Sequence, residues 1–171
     1  SVGNVWRTLV NGARLIIAKH DALLEPLYLA DLLTAQAISS FWGVPSPFAL
    51  LLDALDDVLP PSLNDLHLMG EALPLQLVSR ILHSRHVGLF NVYGPAEATI
   101  TATGCCIAFD CEDSVVPIGR PLPDTTGFIL HSGDVVHCPV LVPGELHLGG
   151  PKVARGYIGR PDLTEQSFGH L

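Results

Sequence analysis

With 171 residues, 48% of them hydrophobic, the chain has apolar mass enough for one domain or for part of a larger one, and it is not a disordered segment. A formal net charge of -8, with Lys19 and Lys152 as the only lysines, is a poor footprint for nucleic acid and for gripping a triphosphate through side-chain cations. No apolar run approaches the roughly 18 residues that cross a bilayer, and the first residues lack the basic-then-apolar layout of a signal peptide. The reading is therefore no nucleic acid, no membrane and a cytoplasmic location. A start at Ser1 and an end at "SFGHL" suggest a piece of a longer protein.

Taken in chain order, "ARLIIAK" (13–19) reads as a buried strand. A helix follows near 22–36, with Leu23, Leu24, Leu27, Leu32 and Leu33 at roughly helical spacing and Pro26 in an early turn. "ISSFWG" (38–43) is a short strand. The next helix, 47–58, is predicted with Ser46 as its cap, Pro47 at its first position and Leu50, Leu51, Leu55 and Val58 on one face. "DLHLM" (65–69) is a strand, Pro74 to Ser84 a helix with Leu77, Val78, Ile81 and Leu82 inward, and "VGLFNV" (87–92) and "TITATGCCIA" (99–108) two more strands. Strand and helix alternate with a period of about 25 residues, which implies a parallel sheet with flanking helices. After residue 108 Pro and Gly become frequent, helices vanish, and short strands are expected at "GFIL", "DVVHC" and "GELHLG", with "HSGD" (131–134) as a hairpin turn. The chain thus divides into an α/β part, 1–107, and a β-rich part, 108–171.

Cys105, Cys106, Cys111 and Cys138 show no Cys-x-x-Cys spacing and read as reduced, packed thiols. His83 and His86 share a helix face, but two ligands without a third do not make a metal site. "GGPK" (149–152) lacks the spacing of a phosphate loop and reads as a turn.

In an open parallel sheet, ligands bind beyond the carboxyl ends of the strands. Those ends are "FWG", "HLMGEA" and "NVYGPAE", and three loops should meet at one crevice, two of them carrying a glutamate, Glu71 and Glu97. The third loop has the most chemistry. Tyr93 offers a flat face to a purine. The Asn91 amide has a donor and an acceptor for a base edge. Gly94-Pro95 fixes a turn that lets backbone approach a ligand. Glu97 is a hard oxygen ligand for a magnesium ion bridging to phosphate. The same residues also fit an ordinary strand-ending turn, with Tyr93 packed and Glu97 solvated.

"NVYGPAEATITAT" resembles the Asn-x-Tyr-Gly-Pro-Thr-Glu motif of adenylation domains in nonribosomal peptide synthetases. "GELHLGGPKVARGYIGRPDLTEQSF" (144–168) resembles a second motif of that family, "VPIGRPLPDTTGFIL" its Ile-Gly-Arg-Pro segment, "MGEAL" its Gly-Gly-Glu-x-Leu, and "SVGNVWRTLVNGARLII" the stretch after its Phe-Asp-x-Ser. The order and spacing agree, and the likeness covers nearly the whole chain. It implies an adenylate-forming enzyme that joins an amino acid to ATP, releases pyrophosphate, and passes the acyl group to a phosphopantetheine thiol on a partner carrier domain. The implied fold is an incomplete piece of a large α/β domain with a distorted β-barrel. ATP and Mg2+ are the implied cofactors. The implied partners are the amino-acid substrate, a peptidyl carrier domain and a condensation domain of the parent synthetase.

Residue by residue, the resemblance has Asn91 bond the adenine amino group, Tyr93 stack on adenine, the Gly70-Glu71 backbone lie against it, Gly94 turn the chain, and Glu97 ligate the metal. Ala96 stands where the family has a Thr that contacts the α-phosphate; one such lost hydrogen bond to a charged group costs about 1.5–3 kcal/mol. The implied amino-acid pocket is Gly3, Trp42, His67, Met69, Val92, Ile100 and Thr101, mostly apolar with one polar contact at His67. Met69 replaces the first Gly of Gly-Gly-Glu. The family's phosphate loop and ammonium-binding aspartate would precede residue 1, and its ribose-binding aspartate and lid lysine would follow Leu171, so these 171 residues alone are expected to be inactive. An acyl-CoA ligase acting on a fatty or aryl acid, and a degenerate non-catalytic binding module suggested by Ala96 and Met69, are the alternatives.

Overall fold

The computed structural model describes residues 2–85, 87–108, 115–131 and 136–169. In chain order they form α1 (Val2–Val10), α2 (Pro26–Ala35), β1 (Ser40–Gly43), α3 (Pro45–Ala54), β2 (Asp65–Met69), α4 (Leu75–Ser84), β3 (Gly88–Tyr93), β4 (Thr103–Ile107), β5 (Arg120–Pro121), β6 (Thr126–Leu130), β7 (Glu145–Gly149) and α5 (Pro161–Ser167), with short 3-10 turns at Ala22–Leu24 and Ala96–Ala98. They fall into two compact units, one drawn from Ser1–Val92 and Gly104–Gly119, the other from Tyr93–Thr103 and Arg120–Leu171.

The first unit is built on a sheet in which β1, β2, β3 and β4 follow in order. β1 pairs parallel with β2, and β2 with β3, in the registers Trp42↔His67 and His67↔Phe90. The expected parallel sheet is therefore present. Its core follows from period: Leu66 and Leu68 in β2 and Leu89 in β3 alternate onto one face, where they are fully buried with Phe48, Leu51 and Leu52 of α3 and Ile81 of α4. Fully burying one such side chain contributes about 1.5–3 kcal/mol. The prediction for α4 holds: Leu77, Val78, Ile81 and Leu82 are its buried residues, with Pro74 as its N-cap.

Four expectations for this unit are corrected. Residues 13–19 are not a strand, and Ile17 is 84% exposed. Their apolar run meets no strand to pair with among the described residues, and an unpaired strand leaves its backbone donors and acceptors unmet. The face of α2 is Leu29, Ala30 and Leu33, while Leu23, Leu24 and Leu27 are exposed, because the 3-10 turn and Pro26 reset the helical phase. α3 starts at Pro45, with Val44 as N-cap and no capping bond from Ser46, and buries Pro45, Phe48, Leu51 and Leu52. It ends at Ala54, where Asp56 and Asp57 adopt left-handed conformations (φ 50° and 58°), so Val58 never joins its face. A helix not foreseen, α1, opens the chain.

In the second unit, β6 and β7 form an antiparallel pair running Thr126↔Gly149 to Leu130↔Glu145. "DVVHC" supplies a single bridge, His137 to Leu130, and "HSGD" lies outside the described residues except for His131. In "GGPK" Gly149 ends β7 and residues 150–152 make the expected turn. Helices do not vanish: α5 starts on Pro161 and buries none of its residues. No closed barrel forms among the described residues. No helix among them is long and apolar enough to cross a membrane.

Candidate functional site

The loop after β2 begins with Gly70, whose φ of 94° is open to glycine and strained for other residues. The turn aims Glu71 back at the start of α3. Its carboxylate accepts from the Ser46 backbone N–H (3.1 Å) and from Ser46 Oγ (2.9 Å). Ser46 is the second residue of α3, so Glu71 supplies, from 25 residues away, the negative acceptor that a capping side chain would give. The loop after β2 is thus joined to the start of α3, and the Glu71 side chain is committed to that joint.

Asn91, near the end of β3, is a buried polar residue, 4% exposed. Its Nδ2 donates to the Pro117 carbonyl at 2.8 Å. That bond fixes the amide plane and leaves Oδ1 as the group that can accept from an amino donor. "NVYGPAE" is then split, because Val92 closes its stretch of the first unit and Tyr93 opens the second.

Beyond that point the loop is tightly folded. Tyr93, 40% exposed, accepts through its carbonyl from Ala102 N at 2.8 Å. A Cβ on Gly94 would be driven into the Ile100 carbonyl and to 2.7 Å from Ala102 N, so the position requires glycine. Thr99 and Ile100 hold φ of 57° and 70°, which for a β-branched residue is strained. This turn also removes 99–102 from the strand predicted over 99–108, and β4 begins at Thr103. Glu97 sits in the 3-10 turn. Its carbonyl accepts from Ala154 N at 2.7 Å, and its Oε1 accepts from the Tyr157 hydroxyl. The Tyr157 bond is the main reason the Glu97 carboxyl is held below the usual carboxylate range, and the same bond raises the Tyr157 hydroxyl. Glu97 is therefore an anion at neutral pH. No group of three candidate metal-ligating side chains occurs among the described residues. A single hard carboxylate suits Mg2+, which takes one or two carboxylates together with phosphate oxygens and water.

Four of the residues expected to line an amino-acid pocket lie on one sheet face. Trp42, His67, Met69 and Val92 share the sheet face opposite Leu66 and Leu68. Their rings stack across the strands: Trp42 on His67 at 3.8 Å between centroids and 11°, and His67 on Phe90 at 4.5 Å and 10°. Arg7, one turn after Gly3 on α1, places its guanidinium 3.4 Å from the Trp42 centroid. Burial, then the nearby Arg7 charge, push the His67 imidazole down to about 4, against the weaker opposite pull of Asp65. At neutral pH His67 is an uncharged ring, covered on both faces, that presents only its edge. Ile100 and Thr101 belong to the second unit.

Sequence reasoning assigned no role to Phe90, Arg7 or Tyr157. Period-2 spacing from Val92 would have found Phe90, and helical spacing from Gly3 would have found Arg7. Tyr157 stands in "ARGY", but its pairing with a residue 60 positions away has no local signal.

The parallel strands with their helices place the first unit in the open-sheet α/β class. The profile of the family described as AMP-binding enzyme matches residues 1–158. The chain belongs to the AMP-binding enzyme family. It is 40% identical over 173 aligned residues, 98% of its length, to phosphinothricin tripeptide synthetase PhsB of Streptomyces viridochromogenes, of which it spans 14%. A four-domain nonribosomal peptide synthetase solved with AMP and glycine matches 94% of the chain at 29% identity and a TM-score of 0.80, the chain covering 12% of it. O-succinylbenzoate coenzyme A synthetase of Bacillus subtilis matches 99% of the chain, which covers 34% of it, at a TM-score of 0.82; at 20% identity this shows a shared fold alone.

Proposed function

We propose that this chain is part of an amino-acid-activating adenylation domain of a nonribosomal peptide synthetase, its α/β part (1–107) and β-rich part (108–171) both contributing to the large subdomain. The observation that carries the reading is the match to PhsB along 98% of the chain. In the proposed reaction a carboxylate oxygen of the amino acid attacks the α-phosphorus of ATP in line, the bond to the bridging oxygen breaks, and pyrophosphate leaves. The acyl group then passes from the adenylate to a phosphopantetheine thiol on a peptidyl carrier domain, with a condensation domain of the parent synthetase as a further partner. Within this chain Asn91 accepts the adenine amino proton through Oδ1, Tyr93 stacks on the base, and Gly70-Glu71 and Gly94 present backbone. Glu97 holds the Mg2+, which supplies charge neutralisation at the phosphates. Ala96 offers no hydroxyl to the α-phosphate.

Gly3, Trp42, His67, Met69, Val92, Ile100 and Thr101 are the proposed amino-acid pocket. An uncharged His67 between two aromatic rings favours an apolar or neutral side chain, and the two charges that act on that ring, Arg7 and Asp65, are of opposite sign. A cytoplasmic location goes with this reading. The test is carboxylate-dependent ATP–pyrophosphate exchange by the synthetase that carries this chain, across amino acids and fatty or aryl acids. Exchange with an uncharged amino acid is expected. Exchange only with a fatty or aryl acid would make the protein an acyl ligase, and none from folded protein would favour the non-catalytic module.

A further inference from the structure

The segment from Lys152 to Tyr157 grips the turn that carries Glu97 at four points. Thr99 Oγ1 donates to the Lys152 carbonyl (2.6 Å), and Lys152 Nζ donates to the Thr101 carbonyl (3.4 Å). Ala154 N donates to the Glu97 carbonyl (2.7 Å), and the Tyr157 hydroxyl donates to Glu97 Oε1. The gripped turn is the strained one, with Thr99 and Ile100 consecutively left-handed. Non-glycine residues in that region are strained, and such geometry persists only where surrounding structure over-determines it. The strap supplies that structure, and the last of its four bonds reaches the carboxylate itself.

Tyr157 is in turn well seated. Its backbone N–H donates to Thr164 Oγ1 (2.9 Å), and its ring meets Phe168 edge-on at 5.5 Å between centroids and 77°. The hydroxyl is therefore delivered from a ring fixed at both ends; it engages Oε1 of Glu97, and the remaining hydrogen bond to that carboxylate comes from the Glu97 backbone itself.

We propose that Tyr157 is the positioning residue of the metal site, holding Glu97 through Oε1 so that Oε2 alone is presented to the metal. The proposal rests on the adenylation reading for the identity of the ligand. A carboxylate oriented in advance by a hydrogen bond binds a cation without first losing side-chain freedom, and partners of this kind typically change metal affinity 10–100-fold.

The experiment is a Mn2+ titration followed by the EPR signal of the free ion, with a non-hydrolysable ATP analogue present. It uses the full-length protein as wild type, Tyr157→Phe, Tyr157→His and Glu97→Gln. Phe keeps the ring contact with Phe168, and an unfolding midpoint close to wild type checks that the fold is retained. The expected result is that Glu97→Gln loses the site, Tyr157→Phe binds Mn2+ about 10-fold more weakly, and Tyr157→His, which keeps a donor on an aromatic ring, lies between. If Tyr157→Phe binds Mn2+ as well as wild type, or better, while Glu97→Gln still loses it, the positioning role is overturned and the adenylation reading stands. If Glu97→Gln binds as wild type does, Glu97 is no metal ligand and the positioning role falls with it, while the adenylation reading is left to the exchange assay.

Discussion

The loops after β2 and β3 have the same ingredients, a glycine followed closely by a glutamate, and use them in opposite ways. Gly70 needs its glycine for conformation: φ is 94°, and a Cβ would meet nothing nearer than Val44 at 3.8 Å. Gly94 needs it for space, because a Cβ would collide with backbone of its own turn. Glu71 has both carboxylate oxygens on Ser46 and is spent on fold. Glu97 has Oε1 on Tyr157, and Tyr157 is the one side chain bonding its carboxylate among the described residues. A carboxylate fully used within the chain builds structure, and one half-used on a braced turn is available for chemistry.

The sharpest way to break this contrast is at the glycines. Gly94→Ala should destabilise the protein by about 3 kcal/mol, the upper end for forced overpacking, since the obstacle is backbone that cannot move aside. Gly70→Ala should cost less, because only the conformational penalty applies, about 1–2 kcal/mol. Urea unfolding of both variants measures the order, and equal effects would remove the distinction between crowding and conformation.

A smaller effect is expected from pH. His67 titrates at about 4 in the folded chain against 6.5 for the free side chain. Its folded value is depressed, so above pH 6.5 the neutral ring costs nothing in either state. As pH falls from 6.5 toward 4 the unfolded chain takes up a proton that the folded chain refuses, and stability drops; below 4 the contribution stops changing. Allowing for solvent screening at this half-buried ring, the loss should be about 1–2 kcal/mol. Unfolding at pH 7.5 and pH 4.5 should show it, and His67→Leu should flatten that part of the profile.

How far the sequence spoke depended on how local each cause was. α4 and β2 were legible because an amphipathic repeat and a five-residue alternation settle them from within. α2 and α3 were found, with Leu33 and Leu51 inward as expected but the rest of each face misassigned. Both are apolar all round, so phase was set by Pro26 and Pro45 and by contacts rather than by spacing. "ARLIIAK" was misread because strand propensity does not supply a partner strand. At the site, residue types were legible in "NVYGPAEAT", whereas their commitments were not. Glu71 reaches 25 residues back to Ser46, Asn91 takes its orientation from Pro117, and Glu97 meets Tyr157 across 60 residues. Each is a tertiary pairing with no trace in a local window.

The most direct test of the contrast compares Glu71→Gln with Glu97→Gln in one protein preparation, reading metal-dependent ATP binding by calorimetry beside urea unfolding. With Glu97 as the metal ligand and Glu71 as the structural one, Glu97→Gln should lose at least 10-fold in metal-dependent affinity with little change in stability. Glu71→Gln should lose about 1 kcal/mol of stability, the scale of a helix cap, and bind within about twofold of wild type, under 0.5 kcal/mol. The reverse pattern, with Glu71→Gln losing the metal-dependent nucleotide and Glu97→Gln only unfolding more easily, would contradict it.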